Sequence, residues 1–151
     1  EQANTLEEAR EKLLTSIQNG SALQTFRTFL AAQGGDASVV DQPNKLPQAK
    51  YQIDLPAKED GYIAEMEADS IGTAAMWLGA GRATKESTID LAVGLVLKKK
   101  IGDEVKKGES IVTIYSNRED VEDVKEKLYE SIKISKEKVT APTLIYEVIS
   151  K

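Results

Sequence analysis

The chain opens on two stretches of helical periodicity. Over residues 5–19, Leu6, Ala9, Leu13 and Ile17 recur at three- and four-residue spacing, and Thr5 with Glu8 forms a capping box, which predicts an amphipathic helix stopped by Gly20. Ser21 with Gln24 reads as a second box, ahead of a broad apolar face of Leu23, Phe26, Phe29 and Leu30 that ends at Gly34 and Gly35. Two short helices do not bury such faces against each other alone, so the hairpin is expected to belong to a larger helical body. Pro43 and Pro47 punctuate a polar stretch after it. The expected organisation is a helical hairpin over 1–35, a linker over 36–48 and a second domain over 49–151.

Beyond the linker the period changes. Tyr51, Ile53 and Leu55 alternate with polar residues as a half-buried strand does, and residues 62–68 after Gly61 read as another strand. Ser70 is placed to cap a short helix with Ile71, Ala74, Ala75 and Leu78 on one face, closed by Gly79-Ala80-Gly81. The apolar run 91–97 and the β-favouring run 110–115 predict strands, joined by a glycine-punctuated turn over 100–108. Asn117 is placed to cap a helix reaching Ile132, with Val121, Val124 and Leu128 inward, and residues 132–135 and 144–149 are the last strand candidates. Strands and helices intersperse without regular βαβ alternation, so the fold class is α+β.

Composition narrows the chemistry more than the fold. Among 151 residues there is no Cys and no His, which removes the thiolate nucleophile, Cys-ligated metal and the usual general base near neutral pH. A formal net charge of −5 is a poor match to a nucleic-acid backbone. No apolar run approaches the roughly 20 residues that span a bilayer, so no membrane partner is expected. With aromatics at only 5%, Leu, Ile, Val and Ala must fill the core.

Two clusters invite a chemical reading. Gly79-Ala80-Gly81-Arg82-Ala83-Thr84-Lys85 offers backbone N–H groups and positive charge, but lacks the GxxxxGK[ST] spacing and the strand-to-helix context of a phosphate loop. It reads as a structural loop in which Arg82 and Lys85 pair with acidic neighbours, with direct phosphate contact as the other reading. Glu65, Glu67 and Asp69 share one strand face by spacing and read as solvated carboxylates in preference to metal ligands. No catalytic residue and no metal ligand is assigned.

The Gly102-Asp103-Glu104-Val105-Lys106-Lys107-Gly108 turn resembles that of biotinyl and lipoyl carrier domains, although Met66 is followed by Glu67 and Met76 by Trp77, with no adjacent Lys. A stand-alone carrier or binding module is therefore one reading. A more extensive resemblance covers essentially the whole chain. The stretches GSALQTFRTFLAAQGGD and LPQAKYQIDLPAKEDGYIAEMEADSIGTAAMWLGAGRATKESTIDLAVGLVLKKKIGDEVKKGESIVTIYSNREDVEDVKEKL resemble the carboxy-terminal part of the bacterial pyrimidine-nucleoside phosphorylases, relatives of thymidine phosphorylase. Gly79-Ala80-Gly81-Arg82, Ile89-Asp90, Val93-Gly94 and the Gly102-Asp103…Gly108 turn carry it in combination.

The resemblance implies an α/β-hammerhead-like domain behind the end of a catalytic α/β domain. It implies a parent enzyme, a cytoplasmic homodimer, that cleaves a pyrimidine nucleoside with inorganic phosphate to a free base and a pentose 1-phosphate. The family's phosphate loop, its pyrimidine-binding residues and its potassium site are implied to lie upstream, in the catalytic domain of the same polypeptide. This chain is then a structural, cleft-shaping part that is inactive alone and holds no cofactor, with Gly81, Arg82 and Lys85 bordering the cleft.

Overall fold

The computed structural model describes residues 2–149, which separate into two compact units, one up to Leu46 and one from Pro47 on. In the first unit, α1 (Leu6–Gln18) packs on α2 (Ser21–Ala32). Thr5 accepts the Glu8 N–H at 3.1 Å, while the Glu8 carboxylate accepts the Asn4 N–H at 2.9 Å, so the capping box is shifted by one residue on its return arm. The second box does not form. Gly20 takes φ 78° and restarts the helix within one residue, and Asn19, in place of Ser21, supplies the side-chain acceptor, at 2.9 Å from the Ser21 N–H. Neither helix has a buried residue, and Leu13, Ile17, Phe26 and Phe29 are exposed.

The stretch read as a linker is not featureless. It forms two 3-10 turns, Ala37–Val40 and Pro43–Lys45, the first capped by Asp36 at 2.9 Å from the Ser38 N–H. Arg27 reaches Asp41 at 2.6 Å, which holds these turns to α2.

The second unit is α+β. β1 (Tyr51–Pro56), β2 (Gly61–Met66), β3 (Gly94–Leu97), β4 (Glu104–Val105), β5 (Ser110–Ser116) and β6 (Ile132–Ser135) form two antiparallel three-stranded sheets, ordered β1-β5-β3 and β4-β2-β6. In the first sheet Leu55 faces Val112 and Ile53 faces Ile114, an in-register apolar ladder. The helices α3 (Ala68–Ala75) and α4 (Glu122–Ser131) pack on each other and close the core, in which Leu55, Ile63, Val105, Val112, Ile114, Val124 and Leu128 are fully buried. Val121, Val124 and Leu128 recur at helical spacing, which is why this highly charged helix turns one stripe inward. Tyr129 on α4 completes the seam, donating its hydroxyl to the Pro56 carbonyl at 2.9 Å under the Lys58 ammonium, 3.7 Å from the ring centroid.

Five boundaries differ from the sequence reading, each for a local reason. The strand read over 62–68 ends at Met66, because Ala68 already begins α3. The 91–97 run is strand only from Gly94, because the Asp90 carboxylate binds the Ala92 N–H in a turn and leaves Leu91 exposed. α3 starts at Ala68, before Ser70, whose hydroxyl donates to Glu67 at 3.0 Å. α4 starts at Glu122, where Asp120 accepts the Glu122 N–H, because Asn117 is engaged elsewhere. Residues 144–149 form no strand: no other strand lies beside them, and Leu144, Ile145, Tyr146, Val148 and Ile149 stand exposed.

Gly61 fixes how closely β2 approaches β6, since a Cβ there would run into the Ser135 carbonyl oxygen and the Ile134 side chain. Gly72, on α3, faces open space. Gly61→Ala is expected to destabilise the second unit by about 1–3 kcal/mol through overpacking. Gly72→Ala is expected to stabilise it by about 0.5–1 kcal/mol through lost chain entropy. Urea unfolding of both variants checks this, and equal midpoints would remove the close-approach explanation.

Candidate functional site

The loop that the sequence singles out leaves α3 through a wide helical turn, Met76–Ala80. Gly79 sits there at φ 105°, a conformation open to glycine, and its carbonyl accepts the Asp90 N–H at 2.9 Å. Gly81 follows in extended backbone, packed so that a Cβ would lie 3.3 Å from the Met76 side chain. At the far side of the neck, the Asp90 carboxylate accepts the Ala92 N–H at 3.0 Å and the Asn117 side-chain N–H at 2.7 Å. Asn117 also accepts the Lys50 N–H, at 2.9 Å, so one amide group ties the loop to the entry of β1. These donors, the Ala92 N–H first and the Asn117 amide second, hold the Asp90 carboxyl below the usual carboxylate range.

Between the two sides of the neck, Arg82 and Lys85 are exposed and make no ion pair among the described residues, contrary to the expected pairing with acidic neighbours. Charge is not what closes the loop. The Thr84 N–H donates to the Ser87 hydroxyl at 3.0 Å and the Ser87 N–H to the Thr84 carbonyl at 3.1 Å, a self-contained turn that leaves both cations facing water.

The acidic series is dispersed and shares no strand face. Glu65 lies on β2, Glu67 receives the Ser70 hydroxyl before α3, and Asp69 sits in the first turn of that helix, where a helix favours negative charge. Among the described residues no three of His, Cys, Asp and Glu gather into a set that holds a metal. In the 100–108 turn the carboxylates are structural: Asp103 accepts the Lys100 N–H at 2.7 Å, Glu109 the Lys106 N–H at 3.0 Å and Asp60 the Lys107 N–H at 2.7 Å.

Two features lie outside the sequence reading. The first is the Asp90–Asn117 clasp, invisible because its members are 27 positions apart and Asn117 stands where a helix cap is expected. The second is an apolar groove of about 580 Å³, walled by Met66, Ile71, Leu97, Ile101, Pro142 and Leu144 with Lys100 beside them. Its walls come from separate segments, each of which reads on its own as ordinary core.

The second unit is thus an α+β domain with a clasped basic loop, able to present positive charge to an anion but without a thiol or imidazole to move a proton. Residues 62–135 match the family model described as the pyrimidine nucleoside phosphorylase C-terminal domain, and this part of the chain belongs to that family. It is 75% identical over 150 residues to a pyrimidine-nucleoside phosphorylase of Geobacillus stearothermophilus, covering 99% of this chain and 35% of that relative. Relatives of the same description from Bacillus subtilis (strain 168) and Staphylococcus aureus (strain USA300) are 58% and 56% identical over 149 residues, again 99% of this chain and 34% of theirs. The chain therefore spans about a third of the length of the curated relatives it matches. The carrier reading finds no support: these relatives are named phosphorylases, and the turn that suggested a carrier is held by carboxylate caps with no Met–Lys pair in the sequence.

The clasp makes a pH-dependent prediction. Because the folded-state pKa of Asp90 is depressed, its contribution is present above the ordinary carboxylate range and is lost as pH falls through the lower folded value. Asp90→Ala is expected to speed tryptic cleavage after Arg82 and Lys85 about tenfold at neutral pH, by raising local opening without global unfolding. In the unsubstituted chain, exchange of the Ala92 amide should accelerate, beyond its intrinsic pH dependence, only below the carboxylate range. Unchanged cleavage in the variant would show that the clasp does not restrain the loop.

Proposed function

We propose that this chain acts as the carboxy-terminal part of a pyrimidine-nucleoside phosphorylase. The observation that carries the reading is identity of 56–75% along 99% of this chain with relatives of that name, against coverage of only 34–35% of their length. The parent reaction transfers the pentosyl group of a pyrimidine nucleoside to inorganic phosphate, giving a free base and a pentose 1-phosphate. The groups that bind phosphate, pyrimidine and potassium belong to the preceding catalytic domain of the same polypeptide, in a cytoplasmic homodimer. Support for that division comes from the chain's own chemistry, since it holds no His and no Cys and its acidic side chains are spent on turns and helix ends.

Within that enzyme the chain shapes an edge of the substrate cleft, and Gly81, Arg82 and Lys85 are its cleft-bordering residues. A basic loop held at its neck and otherwise unpaired suits a border to an anionic co-substrate, because Arg82 and Lys85 lose no ion pair on meeting phosphate. The α1–α2 hairpin, with its exposed apolar faces, is the end of the catalytic domain.

Two measurements test the proposal. Pure 151-residue chain incubated with uridine and phosphate should release no uracil above background by chromatography, whereas the longer enzyme should turn over. Arg82→Ala in the longer enzyme should lower kcat/KM about three- to tenfold. Its stability should stay within about 0.5 kcal/mol of the parent, as for an exposed side chain without partners. Turnover by the isolated chain removes the division of labour, and a large stability loss with unchanged kinetics removes the cleft role of Arg82.

A further inference from the structure

The last strand-like segment of the sequence is the one the fold does not use. Residues 144–149 read Leu-Ile-Tyr-Glu-Val-Ile, five of six apolar and four of the six of β-favouring types, yet they carry no regular structure. Leu144, Tyr146, Val148 and Ile149 are each at least 80% exposed and Ile145 is 69% exposed. Isolated exposed apolar residues are ordinary, but an unbroken run of this composition is not.

The pattern specifies the missing environment. In an extended segment Leu144, Tyr146 and Val148 point to one side and Ile145, Glu147 and Ile149 to the other, so one side is wholly apolar and the other is apolar at two of its three positions. Strands apolar on both sides belong in sheets covered on both faces, which are sheets of the α/β kind. The sheets of the second unit offer no such place: they are three-stranded, none of their strands lies beside the segment, and of its residues only Leu144 lines the apolar groove. A second copy of the segment is a poor partner, because two paired tails form an isolated two-stranded ribbon with both apolar sides still wet.

What remains is the chain that the relatives have and this one does not span. The three relatives described above align with this chain through 99% of its length, and about two thirds of each lies outside the match. Pro142 and Ala141 set the point of departure. Ala141 packs against Gly102, where a Cβ would lie 2.9 Å from the Ala141 backbone nitrogen, and Pro142 lines the groove beside Ile101. The segment beyond this anchor is free to extend about 20 Å at 3.3 Å per residue.

We propose that residues 144–149 form a strand that adds to the edge of a helix-covered sheet in the preceding polypeptide, strapping the carboxy-terminal unit to the catalytic domain. This rests on the reading of the chain as part of a longer phosphorylase. Backbone pairing supplies the hydrogen bonds, and the alternate side chains fill the layers on either face.

Hydrogen exchange on the longer enzyme and on dilute 151-residue chain tests it directly. The amides of 144–149 should exchange about a hundredfold or more slower in the longer enzyme, and near the unstructured rate in the isolated chain. Tyr146→Asp in the longer enzyme should return the segment to fast exchange while the amides of β5 keep their protection. Fast exchange in both proteins overturns the proposal. Slow exchange in the isolated chain overturns it too, as docking on its own unit if independent of concentration and as a second copy if not. A phosphorolysis assay on the same longer protein separates the two claims: activity with a fast-exchanging tail sinks the strap alone, and a protected tail without activity sinks the functional reading alone.

Discussion

The second unit depends on a strand that has no face to give to water. In β5, Ile111, Val112, Thr113, Ile114 and Ser116 are all buried, so the strand needs a neighbour on each edge and a layer on each side. β1 and β3 supply the edges in register, and the core that covers Val112 and Ile114 brings in Leu55, Val124 and Leu128 from β1 and α4. The polar members of the strand are satisfied as strictly as the apolar ones are packed. Thr113 donates its hydroxyl to Asp54 at 2.8 Å, and Ser116 donates to the Arg118 carbonyl at 2.7 Å. An unsatisfied hydroxyl in either position costs about 1–3 kcal/mol, which makes these bonds conditions of the fold. The Thr113 hydroxyl, followed by Ser110 and Lys98, also holds the Asp54 carboxyl below its usual range.

This constraint explains where chemistry is permitted. The core consumes the long apolar side chains, the turns consume Asp60, Asp103 and Glu109, and the clasp consumes Asp90. What is left unspent faces outward: the cations of the 82–85 loop, the apolar sides of α1 and α2, and the tail. A domain that serves a catalytic neighbour needs outward surfaces, and these are the features left over.

Much of this was legible in the sequence. The ladder of Ile53 and Leu55, the stripe of Val121, Val124 and Leu128, and the Thr5 cap follow from period and local hydrogen bonding, and they formed. The misplaced helix caps share one cause, that short polar side chains have several possible acceptors and donors. Asn117, Ser70 and Ser21 each stand where a cap is expected, and each was claimed by a different bond. The site was less legible than the fold. Gly81, Arg82 and Lys85 were singled out by composition, but the clasp that gives their loop its shape joins Asp90 to Asn117 across the sequence, and the groove is assembled from separate segments. The tail is the reverse case: its strand signature formed no strand among the described residues, and the sheet we propose for it lies outside the second unit.

The central claim is that the second unit is self-sufficient and that β5 organises it. Its most direct test is unfolding of a chain that begins at Pro47, followed by β5 amide exchange and by circular dichroism. The account predicts one cooperative transition, with the stability of β5 within about 0.5 kcal/mol of its value in the whole 151-residue chain, as for independent units. Loss of the transition, or fast exchange throughout residues 110–116, would show that the helical unit is part of the same cooperative structure and would contradict the account.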